Sequence, residues 1–330
     1  MTNKKVTIKD VAKQSGVSIT TVSQILNGKI HQFHPDTVKK VLQAQEELGY
    51  APDYFARRMV MKKSLTIGII VPDITNPFFA TLVKGIEDVL FSSGFMTILC
   101  NVDMNLTKGK KAIEALNHRG VDGVILASSG ISITEVLNQE LLQKIPIIEL
   151  DQQVTTQTFD SVRTDDYRGG ELVATLLNDT KHKQAVALFP RDMSPNILKR
   201  LIGFMENFNG QVEVLPTELS KQSGKEMVKT ILNTNATAIF AANDEIAFGV
   251  YAGLSEVGKK VPDDYSVVGY DNIEMSEYVY PPLTTVSQPI FELGQKTADL
   301  LIDRINHPDK DETELILPVT LIERLSVARP

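Results

Sequence analysis

Cysteine, tryptophan and long apolar runs are almost absent from this 330-residue chain, which has one cysteine and no tryptophan. The single cysteine, Cys100, excludes an internal disulfide and any metal site built from several cysteines, as is usual for proteins of a reducing compartment. Because Cys100 lies in an apolar, strand-like run, we expect it to be buried. The first residues show neither the apolar stretch of a signal peptide nor a membrane span, which predicts a cytoplasmic protein with no membrane contact.

Recognisable catalytic and metal-binding motifs are also absent. The sequence holds no glycine-rich phosphate loop of the Walker form, no Gly-x-Ser-x-Gly elbow and no His-Glu-x-x-His. The five histidines are scattered, and no two of His118, His182 and His307 share a helical turn, which disfavours a metal site. We therefore expect no catalytic residues, no metal and no cofactor. A missing motif makes an enzyme less expected without excluding one.

Charge is divided sharply along the chain. Residues 1–63 carry 11 Lys or Arg against 5 Asp or Glu, and the remaining residues carry 23 against 36, which together give the net charge of −7. A basic head on an acidic body suits an electrostatic search for the phosphates of DNA. Such a division is also common in ordinary solvated surfaces, so it needs a motif beside it.

Residues 7–49 have the pattern of three short helices. Thr7 and Asp10 have the spacing of a capping box at the start of the first helix. Gly16 can adopt the positive φ of a tight turn, and Ser18 can cap the second helix. Pro35 suits the first turn of a third helix that Gly49 ends. The pattern predicts a helix-turn-helix, and the expected buried stripe of the third helix is Val38, Val41, Leu42 and Leu48.

The second of these helices carries side chains suited to DNA. A helix-turn-helix presents the start of its second helix to the major groove. There Ile19 can touch a thymine methyl group and Gln24 can bond an adenine edge, while short polar side chains reach phosphates. The predicted contacts are Ser18, Ile19, Thr20, Thr21, Gln24 and Asn27. A structural or protein-binding three-helix module is the alternative.

Residues 53–61 form a short helix-competent segment, with Asp53 as its candidate cap. Arg57, Arg58 and Met59 combine cations with a flexible apolar side chain, as do minor-groove binders that open a base step. The alternative is a linker whose methionine packs on the core. A helix this short is unstable alone in water, so we expect it to form only against DNA and a partner.

From Leu65 onward, continuous apolar runs alternate with amphipathic stretches. This pattern predicts two successive lobes of doubly wound parallel sheet. The expected strands lie near residues 66–71, 96–101, 123–127, 145–150, 185–189, 212–215, 238–241 and 266–269. Residues 313–325 are also typical of a strand, so the chain is expected to cross between the lobes more than once.

Polar and aromatic residues fall where these strands end, and carboxyl ends of parallel strands are where open α/β sheets bind ligands. They lie in the stretches 76–79, 151–152, 243–244 and 269–271. Aromatic rings can stack on a sugar while carboxylates and amides bond its hydroxyls, and we expect Phe78 and Phe79 to sandwich the ring. The alternatives are helix caps for the polar residues and a core position for either Phe.

The whole chain resembles the LacI/GalR family of bacterial transcriptional repressors. The resemblance is carried by Thr7-Ile-Lys-Asp-Val-Ala, Gly16-Val-Ser, Thr21-Val-Ser-Gln-Ile-Leu-Asn27, Tyr50-Ala-Pro, and Ile67-Gly-Ile-Ile-Val-Pro-Asp73. It implies a helix-turn-helix headpiece at 1–50, a hinge helix at 51–63 with Arg57 and Met59 on the DNA, and an effector-binding core at 64–330. The core would divide into an N-lobe (about 64–163 plus 290–318) and a C-lobe (about 164–289 plus 319–330).

The core also resembles periplasmic sugar-binding proteins, and its pocket is most similar to that of ribose-binding protein. By that resemblance the ligand contacts are Asn76, Phe78, Phe79, Asp151, Gln152, Arg200, Asn243, Asp271 and Gln288. Gln152 stands where such pockets carry Arg, so another sugar, a sugar phosphate or a purine stays open beside ribose. The expected partners are double-stranded operator DNA, a sugar effector and a second copy of the chain. A solute-binding protein and a sugar-modifying enzyme are the other classes.

Overall fold

The computed structural model describes residues 6–50, 63–127, 145–150 and 159–330. The chain divides into two compact units, Met1–Ser64 and Leu65–Pro330. Four predicted site residues lie outside the described residues: Arg57, Met59, Asp151 and Gln152.

The first unit is a bundle of helices α1 (Ile8–Ser15), α2 (Ile19–Leu26) and α3 (Pro35–Leu48), with a 3-10 turn at Ile30–Gln32. Local side chains fix the helix ends. The Thr7 backbone N–H donates to Asp10 Oδ2 at 2.8 Å, and Ser18 Oγ accepts from the Thr21 N–H at 3.0 Å. Gly16 and Gly49 end α1 and α3 with φ of 71° and 61°. The predicted caps and helix-turn-helix are confirmed.

A small apolar core holds these helices together, formed by Val11, Ala12, Val22, Ile25, Val41 and Ala44. Leu42 is 47% exposed, so its predicted burial is wrong. Helix α3 buries the face that carries Val41 and Ala44, and Leu42 lies about 100° further around the helix. The spacing of apolar residues allowed burial of either of two neighbouring faces of α3, and the packing buries only the face with Val41 and Ala44.

The second unit contains twelve strands within the described residues. They are β1 (Thr66–Val71), β2 (Met96–Asn101), β3 (Gly123–Leu126), β4 (Ile147–Leu150), β5 (Asp160–Thr164), β6 (Gln184–Phe189), β7 (Gln211–Pro216), β8 (Ala238–Ala241), β9 (Ser266–Asp271), β10 (Thr284–Ser287), β11 (Glu314–Leu317) and β12 (Thr320–Ile322). They form two six-stranded sheets, in the orders β11-β5-β4-β3-β1-β2 and β12-β10-β9-β8-β6-β7. All neighbours are parallel except β10 and β12, which confirms the expected α/β architecture.

The helices of this unit cover both sheets. They are α4 (Pro77–Ser92), α5 (Leu106–Arg119), α6 (Asp166–Asp179), α7 (Pro195–Asn207), α8 (Lys221–Ile231), α9 (Asp244–Glu256), α10 (Met275–Tyr278) and α11 (Ile290–Asn306). Helix α11 packs on α4 and the first sheet, whereas α6 packs on α7 and the second. We call each sheet with its helices a lobe.

The described chain crosses between the lobes three times, at residues 164–166, 287–290 and 317–320. Residues 313–325 were expected to be strand in a chain that crosses between the lobes more than once, and they contain two strands. They form β11 in the first sheet and β12 in the second, because Pro318 lacks the N–H that a continuing ladder needs. The first and third crossings are joined by the Asp165 N–H, which donates to the Leu317 carbonyl at 3.0 Å.

Edge position accounts for another difference. Cys100 was expected to be buried, but it is only half-buried, because β2 is the edge strand of the first sheet. Among the described helices none is long and apolar enough to cross a membrane.

Candidate ligand pocket and nucleic-acid interface

A cleft lies between the two lobes of the second unit, beside the carboxyl ends of their strands. The structure brings seven of the predicted ligand residues together there: Asn76, Phe78, Phe79, Arg200, Asn243, Asp271 and Gln288. The pattern of polar residues at strand ends therefore found one site rather than scattered positions. Sequence reasoning missed the other lining residues, which are Leu82, Ala127, Leu150, Asn196, Ile197, Leu219 and Ala242.

The first lobe contributes an aromatic wall at the start of α4. Asn76 caps this helix, and its Oδ1 accepts from the Phe78 N–H at 3.0 Å. The rings of Phe78 and Phe79 have centroids 5.1 Å apart and planes 80° apart. Two rings at this angle cannot enclose a sugar between parallel faces, so the expected sandwich is wrong. Both follow the cap on one helix, which places them on one side of the cleft.

Arg200 is the buried cation of the second lobe, with 3% of its surface exposed. Its Nη2 and Nε donate to Asp166 Oδ1 at 2.8 and 3.1 Å, and its Nη1 donates to the Ala242 carbonyl. Its guanidinium lies 3.3 Å from the centroid of the Tyr270 ring. Burial alone would lower the pKa of Arg200, but Asp166 and other neighbours raise it above its ordinary value. A guanidinium has five N–H groups, so two are not engaged by the described residues.

Asp271 is the buried carboxylate that faces the cleft, at the end of β9. Its φ of 115° is rare for a side chain other than glycine, and such strain is often found at binding sites. Gln288 Nε2 donates to Asp271 Oδ1 at 2.7 Å. Burial raises the pKa of Asp271 well above its ordinary value, while Arg200 acts to lower it and Asp244 acts to raise it.

Asp244 lies behind this carboxylate and is completely buried. It accepts from Thr285 Oγ1 at 2.6 Å and from the Ile273 N–H at 2.9 Å. Burial raises the pKa of Asp244 to about 7, against the effect of these two hydrogen bonds. Two buried acids therefore share this side of the cleft.

Asn243, like Asn76, both caps a helix and lines the cleft. Asn243 Oδ1 accepts from the Ile246 N–H at 2.9 Å and so caps α9. The capping alternative is thus correct for both residues, and it uses only the oxygen of each amide. The NH2 group of each can still donate to a ligand.

Sequence reasoning missed Thr164 and Asp166, which support the cleft from behind, as does Tyr270 of the predicted stretch 269–271. Asp166 follows a strand end and opens a helix, which is the signal that identified Asn76, so it could have been found. Thr164 is a β-strand residue of ordinary type, and nothing in its neighbourhood marks it. No group of His, Cys, Asp and Glu suited to a metal ion occurs among the described residues.

Helix α2 and its cap Ser18 present a polar face in the first unit. Ser18, Ile19 and Thr20 are exposed, and Thr21, Gln24 and Asn27 are half-buried. Ile19 is 44% exposed, which is unusual for isoleucine and leaves its methyl groups open to a base. The Ser18 and Thr21 hydroxyls lie 2.9 Å apart and bond each other. The helix start therefore combines one apolar contact with short polar groups.

Two family models match the chain. Residues 64–325 match the model described as periplasmic binding proteins and sugar binding domain of LacI family, and residues 7–53 match bacterial regulatory proteins, lacI family. A ribose operon repressor from Halalkalibacterium halodurans is 35% identical, with 96% of each chain covered.

Two solved structures are similar. One is a LacI family transcriptional regulator from Enterococcus faecalis with bound ribose, 52% identical, with 80% of this chain and 99% of that chain covered and a TM-score of 0.75. The other is the lac repressor dimer bound to operator and the anti-inducer ONPF, 28% identical, with 98% and 100% covered and a TM-score of 0.85.

Proposed function

The chain belongs to the LacI family of bacterial regulatory proteins, and from that premise we propose that it represses a sugar-utilisation operon under the control of a small sugar, with ribose as first choice. In this proposal a homodimer binds near-palindromic operator DNA, and the sugar in the cleft weakens that binding. A repressor of utilisation genes must release DNA when its sugar is present. The role is regulatory rather than catalytic, and its place is the cytoplasm, where the operator lies.

The proposed division of labour follows the two units. Residues 1–50 bind the major groove, residues 51–63 form the hinge with Arg57 and Met59 at the minor groove, and residues 64–330 bind the effector. The core lobes comprise about 64–163 plus 290–318, and about 164–289 plus 319–330. In α2, Ile19, Thr20 and Gln24 read bases, while Ser18, Thr21 and Asn27 meet phosphates.

The observation that carries the effector class is the balance of charge in the cleft. Arg200 is already paired with Asp166 at 2.8 Å, and Asp271 adds a second buried carboxylate. A phosphate would meet the charge of Asp166, and that of Asp271 wherever it is ionised, without an uncompensated cation to offset them. A neutral polyol instead finds acceptors in Asp271 and Gln288, and donors in Arg200 and the two capping amides. The aromatic wall supplies an apolar face for the C–H groups of the ring.

Ribose is preferred among neutral sugars because of the relatives. The Enterococcus faecalis regulator holds ribose and is 52% identical, and the Halalkalibacterium halodurans relative is named as a ribose operon repressor. Asp151 and Gln152 are proposed as the remaining contacts. Gln152 replaces a charged donor with a neutral one, so we expect ribose to bind less tightly than it does to pockets with Arg at this position.

An exposed apolar surface supports the proposed homodimer. Phe91 near the end of α4 and Met96 and Leu99 on the edge strand β2 are 78%, 66% and 40% exposed. Large apolar side chains left exposed on a helix and on the edge strand beside it are consistent with an interaction surface. A second copy of the chain would cover them with the same residues, as a twofold interface requires.

Operator release by ribose tests the proposal. An operator is first selected from random DNA with the full-length protein, and its dissociation constant is then measured by fluorescence anisotropy without and with ribose, other pentoses, hexoses, sugar phosphates and purines. We expect ribose to weaken operator binding by about 5-fold to 150-fold, the usual range of allosteric coupling. A response to a purine or a phosphorylated sugar with none to any neutral sugar would refute the effector class.

A further inference from the structure

Thr164 lies at the first crossing between the lobes and is 1% exposed. Its partner Gln288 lies at the second crossing and is 6% exposed. Thr164 Oγ1 is 2.9 Å from Gln288 Oε1, although the two residues are 124 positions apart in the chain. This contact therefore joins two of the three described segments that connect the lobes.

The same hydroxyl has a second acceptor. Thr164 Oγ1 lies 3.2 Å from Asp166 Oδ2. A threonine hydroxyl carries one proton, so at any moment it can donate to the amide oxygen of Gln288 or to the carboxylate of Asp166, but not to both. Both acceptors are buried, where loss of a donor is costly.

Each acceptor is bonded, through its other polar atom, to a charged group of the cleft. Asp166 uses Oδ2 for Thr164 and Oδ1 for Arg200. Gln288 uses Oε1 for Thr164 and Nε2 for Asp271. The hydroxyl thus stands midway in a chain of hydrogen bonds that runs from the cation of the pocket to its carboxylate.

We propose that Thr164 is a positioning residue for the effector response, whose hydroxyl couples Arg200 and Asp271 to the segments that connect the lobes. A sugar that accepts from the remaining N–H groups of Arg200 and donates to the other oxygen of Asp271 polarises the same two groups that bond Asp166 and Gln288, and so changes the strength of those bonds. Ligand binding then changes how often the Thr164 hydroxyl donates to each of its two acceptors. This change takes place within the segments that connect the lobes. The inference rests on the proposed function, because it requires a ligand in the cleft.

Neighbouring backbone bonds show how such a change reaches the crossings. The Asp165 N–H bonds the Leu317 carbonyl at 3.0 Å, and the Gln288 N–H lies 3.4 Å from the Asp271 carbonyl. Thr164 and Gln288 therefore lie beside backbone hydrogen bonds at the first and second crossings. A small shift at Thr164 therefore acts directly on a segment that connects the lobes.

Thr164→Val tests the proposal, with Thr164→Ser as its matched control. Valine keeps the branched shape and removes the proton, whereas serine keeps the proton and removes a methyl group. For each protein, the operator dissociation constant is measured without ribose and at saturating ribose, and the ratio of the two is the coupling factor. We expect Thr164→Val to reduce this factor about fivefold, the equivalent of one neutral hydrogen bond, with unchanged affinity for operator in the absence of ribose. Thr164→Ser should restore the wild-type factor.

A second measurement needs no ligand and separates the inference from the proposed function. Amide hydrogen exchange is followed at Asp165 and Gln288 in the ligand-free proteins, and we expect about fivefold faster exchange in Thr164→Val than in Thr164→Ser. If the wild type ignores ribose, the proposed effector fails and the exchange rates alone decide the role of Thr164. A full coupling factor in Thr164→Val, or equal exchange rates, overturns the inference. Thr164→Ala replaces the valine variant if valine prevents folding.

Discussion

Replacing Asp271 by Asn would separate the proposed ligand contact of this carboxylate from its cost to folding. The change keeps the shape of the side chain, and the remaining oxygen can still accept from Gln288 Nε2, which now lies 2.7 Å away. It replaces one acceptor oxygen with an NH2 group and, at a pH where the carboxyl is ionised, removes a negative charge from a buried position. A sugar hydroxyl that donates to this oxygen in the wild type would face the NH2 group of the variant, which is itself a donor.

The magnitude follows from the bonds that are lost. A hydrogen bond to a charged group contributes about 1.5–3 kcal/mol, and an opposed pair of donors adds the cost of an unsatisfied buried group. We therefore expect Asp271→Asn to weaken ribose binding by about 2–4 kcal/mol, which is a factor of about 30 to 1,000 in the dissociation constant.

Asp271→Asn weakens ligand binding in this argument, but it should not lower the stability of the fold. Burial raises the pKa of Asp271 well above its ordinary value, so the folded protein holds this proton at a pH where the unfolded chain has lost it. The stability that the proton contributes is present at low pH and is lost as the pH rises through the folded pKa. Asparagine does not titrate, so the variant should be at least as stable as the wild type at about pH 8, and this advantage should shrink at lower pH.

Calorimetric titration with ribose and urea unfolding at about pH 5 and pH 8 would measure both effects. Asp263→Asn is the matched control, because Asp263 is exposed and lies outside the cleft. Ribose binding by Asp271→Asn at wild-type affinity would refute the assignment of this carboxylate to the ligand. A variant less stable than the wild type at pH 8 would contradict the argument from burial.

Three further predictions concern other parts of the chain. Burial raises the pKa of Glu149 from 4.5 to about 7, so the stability that its proton contributes to the fold is lost as the pH rises across that window. In urea unfolding, Glu149→Gln should remove about 2–3 kcal/mol of this pH-dependent loss. An unchanged dependence of stability on pH in the variant would contradict this prediction. Gln24→Arg should shift the preference at one half-site position from A·T towards G·C by about 1–3 kcal/mol in an operator selection, and an unaltered preference would place Gln24 away from the bases. Removal of residues 1–62 should abolish operator binding in anisotropy assays while calorimetry still detects ribose, and DNA affinity in the remaining core would show that the headpiece is not the DNA-binding unit.

Local sequence determined the helix ends, the strands and the class of fold. Thr7, Gly16, Ser18 and Gly49 act on backbone groups within four residues of themselves, so their effect is written in the spacing alone. The apolar runs from β1 onward predicted parallel strands for the same reason, since a strand covered on both faces is apolar throughout. Because parallel strands end on one edge of their sheet, the polar residues at those ends could also be predicted to meet.

Tertiary structure decided everything that depends on a distant partner. The periodicity of α3 allowed Leu42 inside, and only the packing of the bundle left it exposed. The sequence predicted that Phe78 and Phe79 enclose a ligand, but the geometry of one helix turn sets their planes 80° apart. The role proposed for Thr164 depends on the fold, which brings its Oγ1 within 2.9 Å of Oε1 of Gln288, 124 residues away in the chain. No sequence pattern predicts such a contact, because a hydrogen bond requires a short distance in space and no fixed separation along the chain.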